Sequence, residues 1–150
     1  MFEERRHAAS AKESYPRAAR MTTIDRHWTP VHLSDVPPPV GAYSPGVRAG
    51  NLLFVSGQVP RDPATGALVG ETIETQTQAV LANLERVLIA GGATLTDVVS
   101  VTVYLADEQL WGRFNDVYKT VFTAPYPTRA VVGASLRGIL VEVSAIAALR

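Results

Sequence analysis

The chain contains no cysteine, few aromatic residues and no excess charge of either sign. Without cysteine it has no disulfide scaffold, no thiolate metal site and no cysteine nucleophile. Its 14 Lys and Arg residues equal its 14 Asp and Glu residues, so the broad basic surface of a nucleic-acid-binding protein is not expected. No apolar run approaches the ~20 residues that a membrane span requires. We therefore expect neither nucleic acid nor a membrane as a partner.

The first 40 residues differ from the rest of the chain. They show no sustained hydrophobic period, and the run Pro37-Pro38-Pro39 favours extended backbone near their end. They hold neither the apolar stretch of a secretory signal nor the acid-poor composition of a transit peptide, so we expect a cytoplasmic protein. We interpret residues 1–40 as an extended, partly disordered lead and residues 41–150 as one domain. The histidines all lie in the lead, at His7, His27 and His32. Their confinement to it argues against histidine-based triads and metal sites in the domain.

Hydrophobic periodicity from Gly41 onward predicts the element order β-β-α-β-α-β-β. The predicted elements are a hairpin of Val47–Ala49 and Leu52–Val55, a helix over 72–90, a strand Val98–Leu105, a helix that Asp107 caps, and the strands Arg129–Leu136 and Ile139–Leu149. Each helix has a single apolar stripe, which places both helices on one face of a sheet. The predicted class is α+β, with a single mixed sheet.

The other face of that sheet has no element left to cover it. The final strand is largely apolar on both faces, from Ile139 to Ala147. Because large uncovered apolar surfaces mark association sites, we expect a homo-oligomer whose subunits pack sheet against sheet.

Two charged residues stand in otherwise apolar strands. Glu142 lies between Val141 and Val143, and Arg129 begins the preceding strand. A hairpin at Arg137-Gly138 would put both side chains on the same face. A structural ion pair and a functional site fit this pattern equally well. Because buried ion pairs rarely add stability over apolar packing, their presence favours a functional site. In such a site the guanidinium would bind a carboxylate, and the glutamate would position water or transfer a proton.

Five motifs in order resemble the Rid family of reactive intermediate deaminases, also called YjgF or L-PSP proteins. They are Gly41-Ala42-Tyr43-Ser44-Pro45-Gly46, Phe54-Val55-Ser56-Gly57-Gln58-Val59-Pro60, Phe114-Asn115-Asp116-Val117-Tyr118, Pro127-Thr128-Arg129 and Val141-Glu142-Val143. The resemblance runs from about Pro38 to Arg150. Each motif alone is weak, whereas their order and spacing together are specific.

The resemblance implies a chorismate-mutase-like subunit and a homotrimer with clefts between subunits. It implies hydrolysis of enamines and imines derived from amino acids, such as 2-aminoacrylate, to 2-keto acids and ammonia, with no cofactor and no metal. Arg129 would bind the substrate carboxylate, and Glu142 would hold water or transfer a proton. Three further residues would line the pocket from the neighbouring subunit, namely Tyr43, Ser56 and Asn115. The backbone of Gly57 would also contribute.

Each of these residues also has a structural interpretation. Tyr43 would pack on the sheet edge, Ser56 would bond to backbone at a strand end, and Asn115 would be a solvated helix position. Trp111 is interpreted as a surface or interface aromatic. Two further aromatic residues of the helix are interpreted as core rather than as ligand contacts, namely Phe114 and Tyr118.

The chain departs from the family pattern at three points. Ala130-Val131 follow the arginine where many members of the most active subgroup carry Ser-Cys, which leaves subgroup and substrate open. The connection from Arg129 to Glu142 is slightly short, and the lead of about 40 residues is longer than the family needs. One alternative function is a non-catalytic, regulatory binder of small carboxylates. An endoribonuclease is disfavoured, because the domain has no histidine and no visible basic groove.

Overall fold

Six strands and two helices make up residues 25–150, the part of the chain that the computed structural model describes. The strands are β1 (Thr29–Pro30), β2 (Gly46–Ala49), β3 (Leu52–Gln58), β4 (Val98–Leu105), β5 (Thr128–Gly133) and β6 (Val141–Ala148). The helices are α1 (Ile73–Ala90), between β3 and β4, and α2 (Trp111–Val121), between β4 and β5. Every element that the sequence predicts from Val47 onward is present.

Local chemistry explains where these elements begin and end. Gly50 takes the positive φ of 60° that the β2–β3 turn requires. Thr72 caps α1 by accepting a hydrogen bond from the Thr75 amide, and the Gly91 amide closes the helix on the Val87 carbonyl. The Asp107 carboxylate accepts from the Gln109 amide, 2.8 Å away. It therefore caps a single 3-10 turn that leads into α2, rather than α2 itself.

The strands form one sheet in the order β1-β2-β3-β6-β4-β5. Only β4 and β5 run parallel; the other neighbouring pairs are antiparallel. Both helices pack on one face and bury one apolar row from each central strand, including Leu53, Val103 and Val143. The predicted α+β class with a single mixed sheet and two helices on one face is confirmed.

The predicted hairpin of the last two strands is wrong. Strand β4 lies between β5 and β6, so these two strands do not pair. Arg129 pairs with Val101 of β4, whereas Glu142 pairs with Tyr104. Because neighbours along a strand alternate between faces, Arg129 points to the helix face and Glu142 to the open face. The expectation that one chain brings the two side chains together on one face is therefore corrected.

Part of the segment assigned to the lead belongs to the sheet. β1 pairs with β2 at the sheet edge, and Val31 is buried in the core. His32, next to it, lies in the wall of a cavity together with Tyr43 and Gly57. Histidine is thus closer to the domain than the sequence indicates. The part of the lead over residues 1–24 lies outside the described residues.

Within residues 25–150, no helix has the length and apolar character needed to cross a lipid bilayer.

Candidate functional site

Arg129 is the centre of a cluster on the helix face, at the edge of the sheet. One of its Nη atoms donates a hydrogen bond to the Asn115 side-chain oxygen, 2.9 Å away. The guanidinium carbon lies 4.5 Å from the centre of the Tyr118 ring and 5.7 Å from that of Trp111. We call Trp111, Asn115, Tyr118 and Arg129 the arginine cluster. In this cluster two aromatic ring faces and one side-chain amide contact the guanidinium and fix its position.

Helix periodicity explains how α2 supplies three members of this cluster. Trp111, Asn115 and Tyr118 are spaced at i, i+4 and i+7, which places them along one side of the helix. Arg129 reaches them from β5, the edge strand that follows α2 along the chain. Asn115 is thus not merely a solvated helix residue. It bonds to Arg129 of its own chain, so the expectation that it joins this pocket from the neighbouring subunit is wrong. Tyr118 is a core residue that also contacts Arg129.

The charge of Arg129 has no acidic partner in the part of the chain that is described. None of the ion pairs over residues 25–150 includes it, and its one side-chain bond to protein goes to a neutral amide. The guanidinium is half-buried. Burial raises the pKa of the neighbouring Tyr118 hydroxyl, an effect that the positive charge of Arg129 partly opposes. A half-buried guanidinium without a carboxylate is suited to bind an anion.

Glu142 lies on the opposite, open face of the sheet. It lines a cavity of about 230 Å³ with Gly57, Tyr104, Leu136 and Ser144. We call these five residues the glutamate cleft. Tyr104 faces Glu142 across the β4–β6 pair, and Ser144 follows it on the same face of β6. The cleft therefore presents one carboxylate and two hydroxyls.

Gly57 allows the backbone of β3 to approach this carboxylate. A side-chain carbon at position 57 would overlap the Oε1 atom of Glu142. The pairing of β3 with β6 also shifts register between Val55 and Gln58, so a bulge falls at this point. The combination leaves a Cβ-free opening beside the carboxylate.

The two remaining predicted site residues are placed differently. The Ser56 hydroxyl donates to the Ser44 carbonyl, 2.7 Å away, which is the backbone role that the sequence offered as its alternative. Tyr43 is 56% exposed and shares a cavity of about 480 Å³ with Gly57. Tyr43 thus lies on the Gly57 side of the molecule, and Asn115 on the Arg129 side.

Five members of these groups are not among the site residues that the sequence predicts. Trp111 is 45% exposed, as expected of a surface or interface aromatic, but it also flanks Arg129. Tyr118 is expected in the core and also contacts Arg129. The other three are Tyr104, Leu136 and Ser144, of which period-two alternation from Glu142 points to Ser144. Among residues 25–150, no three His, Cys, Asp or Glu side chains lie close enough together to hold a metal ion.

Comparison with known proteins identifies the family. A family model described as Endoribonuclease L-PSP matches residues 34–149. The chain belongs to the L-PSP family. This is the Rid or YjgF family that the sequence motifs resemble, so that prediction is confirmed.

L-PSP relatives match over nearly their whole length. A RutC family protein of Saccharolobus solfataricus is 46% identical over 119 residues, which cover 78% of this chain and 94% of that protein. The 2-iminobutanoate/2-iminopropanoate deaminase of Rattus norvegicus is 39% identical over 119 residues, which cover 78% and 87%. The crystal structure of E. coli TdcF with bound serine superposes with a TM-score of 0.75 at 30% identity, covering 81% and 99%.

Proposed function

We propose that this L-PSP protein hydrolyses enamines and imines derived from small amino acids to 2-keto acids and ammonia. The observation that carries the proposal is Arg129, a half-buried guanidinium held by neutral partners and without an acid among residues 25–150. A relative named for deamination of 2-iminobutanoate and 2-iminopropanoate, and another crystallised with serine, support a small amino-acid-derived ligand.

Arg129 binds the substrate carboxylate in this proposal. Asn115 occupies one guanidinium nitrogen, and the Tyr118 and Trp111 rings limit its orientations. The remaining N–H groups are free for a two-point contact with a carboxylate, which fixes the position of the imine carbon.

Glu142 positions the attacking water and transfers protons. An enamine first takes a proton from solvent on its terminal carbon and becomes the iminium, the protonated imine. Glu142 accepts a proton from a water molecule as the water oxygen bonds to the imine carbon, and then donates that proton to the nitrogen of the resulting carbinolamine. The carbon–nitrogen bond breaks and ammonia leaves, while the carbinolamine hydroxyl gives its proton to Glu142 and becomes the carbonyl of the keto acid. Glu142 returns this last proton to solvent. Such proton transfer typically contributes ~10²–10⁴-fold to the rate.

A complete site needs two copies of the chain, because the sheet separates Arg129 from Glu142 within one copy. Apolar side chains are available for association on the open face: Phe54 is 40% exposed and Val132 is 44% exposed. We propose a homotrimer in which the arginine cluster of one subunit faces the glutamate cleft of the next.

The test measures keto-acid release from freshly generated 2-aminoacrylate. Wild-type protein should accelerate release, and Arg129→Ala should reduce kcat/KM by about a hundredfold, the scale of a two-point charged contact. Glu142→Gln should also lower kcat by about a hundredfold or more. Arg48→Ala is the matched control, since Arg48 is an exposed strand arginine outside both groups.

Two outcomes would count against this function. Equal rates for wild type and Arg129→Ala would reject the deaminase. Saturable binding of keto acids by a wild-type protein that leaves the imine lifetime unchanged would favour the non-catalytic binder instead.

A further inference from the structure

A second cavity adjoins the glutamate cleft. It has a volume of about 370 Å³ and shares Leu136 and Glu142 with the cleft. Its other lining residues include Arg61, Ser135 and Arg137. A substrate bound at Glu142 therefore has room on one side for a side chain longer than that of 2-aminoacrylate.

The cavity carries an excess of positive charge. Two arginine residues, Arg61 and Arg137, line it with one acidic residue, Glu142. Arg61 donates one hydrogen bond to the Gly66 carbonyl. Arg137 forms no side-chain hydrogen bond or ion pair with any residue of the 25–150 region.

Carboxylates near Arg137 do not neutralise it. Asp107 and Glu108 line an open groove on its other side. The Asp107 carboxylate caps the Gln109 amide, and that of Glu108 lies beside Gly133. Neither lies within ion-pair distance of Arg137. The guanidinium stays available to a ligand.

The segment that carries Arg137 is anchored at both ends. The Ala134 amide donates to the Leu105 carbonyl, 2.9 Å away. The Leu140 amide donates to the side-chain oxygen of Gln76, 2.8 Å away, and Gln76 is only 2% exposed. Arg137 therefore projects from a connection of defined position, as a binding residue requires.

We propose that this cavity selects substrates with a second anionic group. Arg61 and Arg137 would bind a carboxylate on the substrate side chain, so the preferred substrates are imines of acidic amino acids. The inference rests on the proposed deaminase function and extends it. A neutral side chain would offer these two cations no opposite charge, whereas a side-chain carboxylate would pair with them through charge-assisted hydrogen bonds.

The test compares two imines of nearly equal size, generated from glutamate and from glutamine by an amino-acid oxidase. Only the first carries the second carboxylate. Wild-type kcat/KM should be higher for the glutamate imine, and Arg137→Gln should lower that value by about three- to fivefold, the upper range for one exposed charged contact. The glutamine imine should change less than about twofold. Arg48→Gln removes an equal charge away from the cavity and should alter neither value.

A second measurement uses the wild-type protein alone. Added salt should lower kcat/KM for the glutamate imine more than for the glutamine imine, because exposed charges are screened. Equal effects of Arg137→Gln on both imines, or equal salt sensitivity, would overturn the inference while the deaminase function stands. If the protein hydrolysed neither of these imines and did not hydrolyse 2-aminoacrylate either, the deaminase function itself would be rejected.

Discussion

Gly57 decides how closely the backbone of β3 approaches the carboxylate of Glu142. Gly57→Ala should displace that carboxylate, because the added carbon would occupy the position of Oε1. Glutamate is flexible, so the free energy of unfolding should change little while imine hydrolysis falls. Chemical denaturation and the keto-acid assay, run on the same samples, check both expectations.

Gly112 offers a matched control for that substitution. It lies in α2 at a negative φ, and a Cβ there meets nothing within 4 Å. Gly112→Ala should raise the free energy of unfolding by about 0.5–1 kcal/mol and leave hydrolysis unchanged. If both alanine variants lost activity equally, the steric argument at Gly57 would be wrong.

Trp111 gives an optical signal for binding at Arg129. The chain has two tryptophans, so Trp28→Phe leaves Trp111 as the sole indole. A keto acid such as pyruvate, bound at a guanidinium 5.7 Å from the indole, should change its emission with saturation, because it changes the charge beside the ring. Arg129→Ala in the same background should abolish the saturable change; persistence of that change would place binding elsewhere.

At the scale of elements, an ion pair joins the first turn of α1 to α2. Two nitrogens of Arg113 donate to the Glu74 carboxylate at 2.6 and 2.8 Å. These bonds are the largest cause of a lowered Glu74 pKa, which falls from 4.5 to about 2 with further help from a backbone amide at the helix start. Because the pKa is lower in the folded state, the pair stabilises the protein above pH 4.5, and its contribution is lost as the pH falls towards 2.

Glu74→Gln should therefore destabilise the protein at neutral pH and have almost no effect near pH 2. Urea unfolding of wild type and variant over this pH range checks the expectation. The effect should be small, since the pair is exposed to solvent. Glu85→Gln serves as control, because Glu85 is exposed on the same helix and has no ion pair in the described region. A difference between wild type and Glu74→Gln that did not depend on pH would contradict the assignment.

At the scale of the whole molecule, the placement of Arg129 and Glu142 on opposite sheet faces predicts complementation between inactive chains. Arg129→Ala and Glu142→Gln, refolded together, should recover activity at sites that combine one intact residue from each chain. In a random mixture, the subunit that supplies the arginine to a site has an intact Arg129 with a probability of about one half, and the subunit that supplies the glutamate has an intact Glu142 with the same probability. About a quarter of the sites should therefore be complete, and the recovered rate should be about a quarter of the wild-type rate.

Each variant refolded alone is the control for that experiment and should stay inactive. The mixture and wild type should elute at the same size in gel filtration. No recovery in a correctly assembled mixture would place both residues of a site in one chain, and a monomeric wild type would remove the proposed site altogether.

The local sequence predicted the elements well because their signals are local. The capping and turn residues form hydrogen bonds or set the backbone angle within about one turn of themselves, as Thr72, Asp107 and Gly50 do. The apolar stripe of each helix likewise repeats within that helix. The side-chain neighbours along α2 follow equally from helix spacing, which is why Asn115 and Tyr118 reach one guanidinium. The sheet-edge strand β1 has only two residues and no period, so nothing in the sequence separates it from the lead.

Composition and pattern by themselves determined the α+β class, the position of every main strand and helix, and the choice of Arg129 and Glu142 as unusual residues. The tertiary structure alone decided that β4 lies between β5 and β6, and hence that these two side chains point to opposite faces. The physical reason is that alternation fixes a side chain's face only within its own strand. Which strands become neighbours depends on burial across the whole sheet, where contacts are distant in sequence.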